Sequence, residues 1–212
     1  MIAALLFFAA GTTDWPMLWA WLGVYFGIFG SVAVVVGWRN PDLIEERIHG
    51  ERKADVKRWD RAIVMAVAVV LPPLSWMVAA LDFRLGWSPR PAAAPALAAL
   101  ALVALANSLV AWAMATNRYF SAIVRIQKDR GHTVVSTGPY ALIRHPGYVG
   151  AIVMHLATPV ALGSRPALAV GALTAVLFVV RTALEDRTLH RELDGYAVYA
   201  GRVRWRLVPR IW

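Results

Sequence analysis

Long apolar runs, broken by short charged segments, dominate the chain. The clearest are Pro16–Trp38, Ala62–Leu81 and Ala92–Ala115, each bounded by charges or by proline and glycine. A helix needs roughly 20 apolar residues to cross the hydrocarbon core of a bilayer, and each run is about that long. A fourth apolar block, Tyr148–Val180, spans 33 residues and breaks at Gly163-Ser164-Arg165-Pro166. The break predicts a helical hairpin of two short spans, with Pro166 near the start of the second helix. Met1–Ala10 is apolar but too short to cross. It has none of the basic residues that open a secretory signal, so it predicts a partial or interfacial helix. The expected architecture is an all-α, multi-pass bundle of about five spans. Residues 1–115 would embed the chain, and residues 116–212 would carry the chemistry.

Some features inside the spans refine this picture. Pro72-Pro73 falls within the second run and predicts a kink, read first as a packing device and second as a way to widen a cavity. Asn107 and Ser108 are polar residues within the third run, placed to hydrogen-bond between helices or to line a pocket. Trp15, Trp19, Trp38, Trp59, Trp76 and Trp87 mostly fall near span ends, as in an interfacial aromatic belt.

Positive charge sets the orientation. With alternating sides, Arg39–Arg61, Thr116–Gly147 and Arg181–Trp212 fall together and carry 19 of the 22 Lys and Arg residues. Only Arg84, Arg90 and Arg165 lie opposite. The positive-inside rule makes the rich side cytoplasmic, in a membrane that the composition suggests is a bacterial inner membrane. The net charge of +9 is thereby read as topology and contact with anionic lipid, not as nucleic-acid binding. Composition agrees: 59% of residues are hydrophobic, against about 45–50% in soluble domains. The chain has no cysteine, which excludes disulfides, thiolate nucleophiles and cysteine-ligated metals. No metal site is expected.

The chemistry is expected on the basic face. Thr116–Gly147 is a long segment without strong helical periodicity, and aromatic and apolar residues are interleaved through it. Such loops are usually functional or disordered, and the interleaving argues against disorder. Thr137-Gly138-Pro139-Tyr140 reads as a turn. Arg144-His145-Pro146 then opens the next helix, where backbone N–H groups beside an arginine and a histidine suit an anion such as a carboxylate. Further on, Arg181 and Glu185 lie four apart and share a helical face, as a surface ion pair or as a polar lining where the span ends. The stretch Arg202-Val203-Arg204-Trp205-Arg206-Leu207-Val208-Pro209 is amphipathic and predicts a segment lying on the membrane surface.

The run His132-Thr-Val-Val-Ser-Thr-Gly-Pro-Tyr140 with Arg144-His145-Pro146-Gly147-Tyr148-Val149-Gly150 resembles the isoprenylcysteine carboxyl methyltransferase family. So does the later run through Arg181, Glu185-Asp186, Gly195-Tyr196, Tyr199 and Arg202-Val203. Val134 stands where the family has leucine, the tail is shortened between its glycine and first tyrosine, and its acidic cluster is thinner. Asn117-Arg-Tyr-Phe-Ser121 and Val124-Arg-Ile-Gln127 also look like prokaryotic members. The resemblance covers the C-terminal half.

The resemblance implies a membrane enzyme that moves a methyl group from S-adenosyl-L-methionine to a lipophilic small-molecule or lipidated acceptor. It places Gln127, His132, Val134, Val135, Gly138, Tyr140, Arg144, His145, Tyr148 and Glu185 at the cofactor. There Gly138 would admit a close backbone approach, Arg144 would hold the cofactor carboxylate, and Glu185 would hold its ammonium group or orient the acceptor. Arg144, Arg181 and Glu185 are the candidate catalytic groups, with Arg181 meeting an acceptor carboxylate if the substrate is an acid. Tyr196 and Tyr199 would pack the tail over the site. A phospholipid or amine N-methyltransferase and an NADPH-dependent sterol-type reductase share parts of the pattern and stand as alternatives. A non-enzymatic scaffold or transporter fits less well, because the spans carry few polar groups beyond Ser75, Asn107, Ser108 and His155.

Overall fold

The computed structural model describes residues 1–39, 46 and 56–212. Residues 40–45 and 47–55, which hold much of the basic loop Arg39–Arg61, lie outside the described residues. The described residues fold as helices: α1 (Ile2–Ala10), α2 (Pro16–Arg39), α3 (Arg58–Leu85), α4 (Ala93–Thr116), α5 (Pro146–Leu162), α6 (Arg165–Glu192) and α7 (Tyr196–Arg202). Four of them, α2, α3, α4 and α6, are long and apolar enough to cross a membrane, and α5 is a shorter apolar helix. The all-α, multi-pass reading therefore holds. The hairpin forms at the expected break, and the Ser164 side chain caps α6 by accepting from the Ala167 N–H at 3.2 Å. Its two arms are unequal, however. α5 has 17 residues and α6 has 28, so α6 runs on past Val180 and carries Arg181, Glu185 and Asp186 on helix.

Pro72 and Pro73 do not break α3. Each lacks the N–H that would close a helical turn, and the strain is taken up just upstream by a π-helical turn at Met65–Val70. The Leu71 N–H reaches back to the Ala66 carbonyl across that wider turn.

α5 packs between α4 and α6, with α2 against α4 and α3 against α6. Two glycines allow these close crossings. A Cβ on Gly150 would sit 2.7 Å from the Ala106 carbonyl oxygen of α4, and one on Gly171 would sit 2.3 Å from the His155 carbonyl oxygen of α5. Toward the end of the bundle away from the basic segments, Trp21, Leu18, Trp76, Ala79, Val103 and Ala161 form a closed core. Trp21 donates from Nε1 to the Thr158 hydroxyl at 3.1 Å, so the buried indole keeps a partner. At the opposite end, the start of α3, the end of α4, the start of α5 and the last turns of α6 meet around the segment 117–145.

Candidate functional site

Residues 117–145 form no long helix, only short 3-10 turns at Lys128–Arg130 and Gly138–Ala141. They wrap a cavity that opens to solvent at this end of the bundle. Gln127, His132, Val134, Val135, Tyr140, Arg144, His145, Tyr148, Arg181 and Glu185 all line it. The residues singled out in the sequence are thus brought together, with one exception. Gly138 is not on the cavity wall. Its φ of +57° makes the turn, and a Cβ there would meet the Thr116 side chain at 2.9 Å. The glycine serves turn geometry and packing on α4.

The wall at Gln127–His132 is built by local bonds. Gln127 Nε2 donates to the Tyr119 carbonyl at 2.9 Å, and the Tyr119 hydroxyl donates to the Gly131 carbonyl at 2.8 Å. Tyr119 also packs on the His132 ring, with centroids 4.4 Å apart. The Gln127 N–H points at His132 Nδ1 at 3.3 Å, which leaves the ring proton on Nε2. Burial lowers the His132 pKa to about 4, and the charges of Arg125 and Arg130 push the same way. His132 is therefore a neutral donor at physiological pH. Between about pH 4 and pH 6.5 the unfolded chain binds this proton and the folded one does not, so stability should rise with pH across that window. Thermal unfolding in detergent should show this rise, and His132→Gln should flatten part of it. A rise of equal size in the variant would mean other groups carry it.

Asp186, to which the sequence assigned no role, is the hub of the site. Its side chain is buried. Oδ1 accepts from the Tyr196 hydroxyl at 2.9 Å and lies 3.3 Å from His145 Nε2. Oδ2 accepts from Arg206 Nε at 2.7 Å and from Arg144 Nη2 at 3.2 Å. One carboxylate thus joins the start of α5, the end of α6 and the tail. The tail itself does not continue as helix past Arg202. Its backbone folds over the site, where the Trp205 and Arg206 carbonyls accept from the Arg144 and His145 N–H groups at 2.9 and 3.0 Å. These two N–H groups, expected to receive an anion, are therefore taken by protein. Tyr199 donates to the Tyr140 carbonyl at 2.7 Å, so both tail tyrosines hold the tail on the site. Their hydroxyls are shielded from ionisation. Burial pushes Tyr199 up to about 12, and burial with the Asp186 charge raises Tyr196 further.

Arg181 and Glu185 are not paired with each other. Arg181 forms a two-pronged ion pair with Asp60 of α3, from Nε to Oδ1 at 2.7 Å and from Nη2 to Oδ2 at 3.0 Å. Glu185 accepts from the Tyr148 hydroxyl. Four-residue spacing on one helical face favoured the local pair with Glu185 in the sequence. The distant carboxylate wins because both its oxygens face the guanidinium fork.

A second line of evidence now bears on this geometry. Residues 99–191 match the model of the Isoprenylcysteine carboxyl methyltransferase (ICMT) family. The match agrees with the family resemblance read from the motifs, over the same stretch of chain. It takes in most of α4, the whole 117–145 wall, nearly all of the hairpin and Asp186, and stops short of α7 and the tail. It begins well after Asp60, which lies outside it. No curated protein matches the chain.

Proposed function

We propose that the protein transfers a methyl group from S-adenosyl-L-methionine to a lipophilic acceptor, with a carboxylate as the acceptor group. The observation that carries this reading is the cavity. It gathers the motif residues at the one end of a membrane bundle where the long basic segments also lie, so a soluble donor and a bilayer-borne acceptor have a common meeting place. The positive charge supports a cytoplasmic orientation for that end.

The residues present suit the cofactor. Arg144 is buried, and its Nε lies 3.0 Å from Asp186 Oδ1 without an aligned hydrogen bond. A donor in that state suits a carboxylate head. Glu185 offers a carboxylate for an ammonium group, neutral His132 offers an N–H, and Val134 and Val135 offer apolar wall for a flat base. When bound, S-adenosylmethionine supplies a methyl group on a positively charged sulfur. The chain's own residues bind, align and keep water out, which is what an in-line displacement requires. A carboxylate acceptor needs no general base, and Arg181 stands on the cavity wall to receive one.

Purified protein in detergent should bind S-adenosylhomocysteine by calorimetry and show no heat with NADPH. Arg144→Ala should weaken that binding roughly 10- to 100-fold, the scale of one lost charge-assisted contact. Binding of NADPH alone would instead favour the reductase alternative, which the family match does not support.

A further inference from the structure

Arg181 reaches the cavity from α6, yet what holds it there is a residue from the other half of the chain. Asp60 sits in the first turn of α3 and is wholly buried. Its Oδ1 accepts from Arg181 Nε, and its Oδ2 accepts both from Arg181 Nη2 and from the Val124 N–H at 2.6 Å. Val124 lines the same cavity. Arg181 Nη2 donates in addition to the Ala122 carbonyl at 2.7 Å. Three bonds therefore lock one edge of the guanidinium and one stretch of cavity wall to a single carboxylate, and the fourth ties the guanidinium to that stretch directly. The other edge, at Nη1, makes no hydrogen bond among the described residues, and it remains available to a ligand.

Two neighbours extend the same docking. The Lys57 N–H donates to the Val124 carbonyl at 3.2 Å, and Lys57 Nζ bonds Glu192 at 2.7 Å. Arg125, next to Val124, pairs through Nε and Nη2 with buried Glu46 at 2.6 and 2.7 Å. The entry to α3 thus braces the site's wall from behind, although it lies outside both the motifs and the matched family segment.

We infer that Asp60 is a positioning residue for methyl transfer: it orients Arg181 toward the acceptor and fixes the Val124 wall at the same time. This inference rests on the methyltransferase reading above. It also predicts that residues 1–115 do more than embed the chain, since one of them sets the geometry of the acceptor end.

The asparagine variant is the informative one. Asparagine offers one acceptor oxygen where aspartate offers two, and in either flip its NH₂ group faces a donor. Asp60→Asn, Arg181→Gln and the double variant should be compared with wild type in detergent, using N-acetyl-S-farnesylcysteine as the acceptor probe. S-adenosylhomocysteine affinity should stay within about 2-fold in Asp60→Asn, while kcat/KM for the probe falls at least about 10-fold through KM. Hydrogen exchange in the peptide 119–127 should rise. Asp60→Glu should restore part of the activity. The double variant should lose less than the two single losses multiplied together, because much of the effect of Asp60 passes through Arg181. Unchanged kcat/KM in Asp60→Asn, or losses that add in the double variant, would overturn the inference while leaving the methyltransferase reading intact. A wild-type protein that bound no S-adenosylhomocysteine would overturn that reading, and this inference with it.

Discussion

Asp186→Ala should cost about 3–5 kcal/mol of stability, the scale for removing one partner of a buried ion pair. The cost comes from what stays behind. Arg144 remains buried with its charge uncompensated, and the Tyr196 hydroxyl loses its acceptor. Arg206 is partly exposed and contributes little, since water replaces its lost partner. The loss should also be local in a way that proteolysis reads. With the hub gone, the tail keeps its backbone bonds to Arg144 and His145, the long Arg144 side-chain bonds to the Ala200 and Val203 carbonyls, and the Tyr199 bond to Tyr140. Trypsin should then cut after Arg202 and Arg204 far faster than in wild type. Thermal unfolding in detergent gives the global figure. A variant melting within about 2 °C of wild type, with an equally resistant tail, would show that Asp186 is not the clamp described above.

Gly171→Ala should be comparably severe for a different reason. The new methyl group would lie 2.3 Å from the His155 carbonyl oxygen, and a backbone atom inside a helix cannot turn aside as a side chain does. The two arms of the hairpin must separate, opening packing along α5 and α6. A cost of about 3 kcal/mol is expected, at the upper end for overpacking. Gly27→Ala is the control. Nothing lies within 4 Å of a Cβ at that position, so it should be neutral or slightly stabilising through helix propensity. Equal melting temperatures for the two variants would refute the close crossing.

The spans were legible because their signal is local: apolar runs of membrane-crossing length, ended by charge, proline or glycine. The hairpin break was legible from Gly163 to Pro166 for the same reason. The cavity lining was legible through the motif, which reports spatial convergence that spacing alone does not. What stayed hidden was every partner chosen across distance. Arg181 has an acidic residue four positions away and uses one 121 positions away. Asp186 looked like one half of an acidic pair with Glu185, and only the fold shows that the two carboxylates serve different networks. Asp60 gave a faint signal, as a lone acid at the head of an apolar helix, but that is also how an ordinary first-turn aspartate looks. Gly138 was placed in the right turn, but its packing against Thr116 was hidden, because a motif glycine does not say which side of the turn needs the space.

The tail's position has a consequence for how the protein comes to life. Every cavity-lining residue through Leu193 leaves the ribosome before the segment that holds Asp186 and the head of α5 in place. Until Tyr196, the Trp205 and Arg206 carbonyls and the Arg206 side chain arrive, Arg144 and His145 lack half of their bonds. A nascent chain can therefore insert its spans while the site is still incomplete. Assembly order alone would keep the site silent during synthesis and let it start work only once the segment 196–206 has folded back.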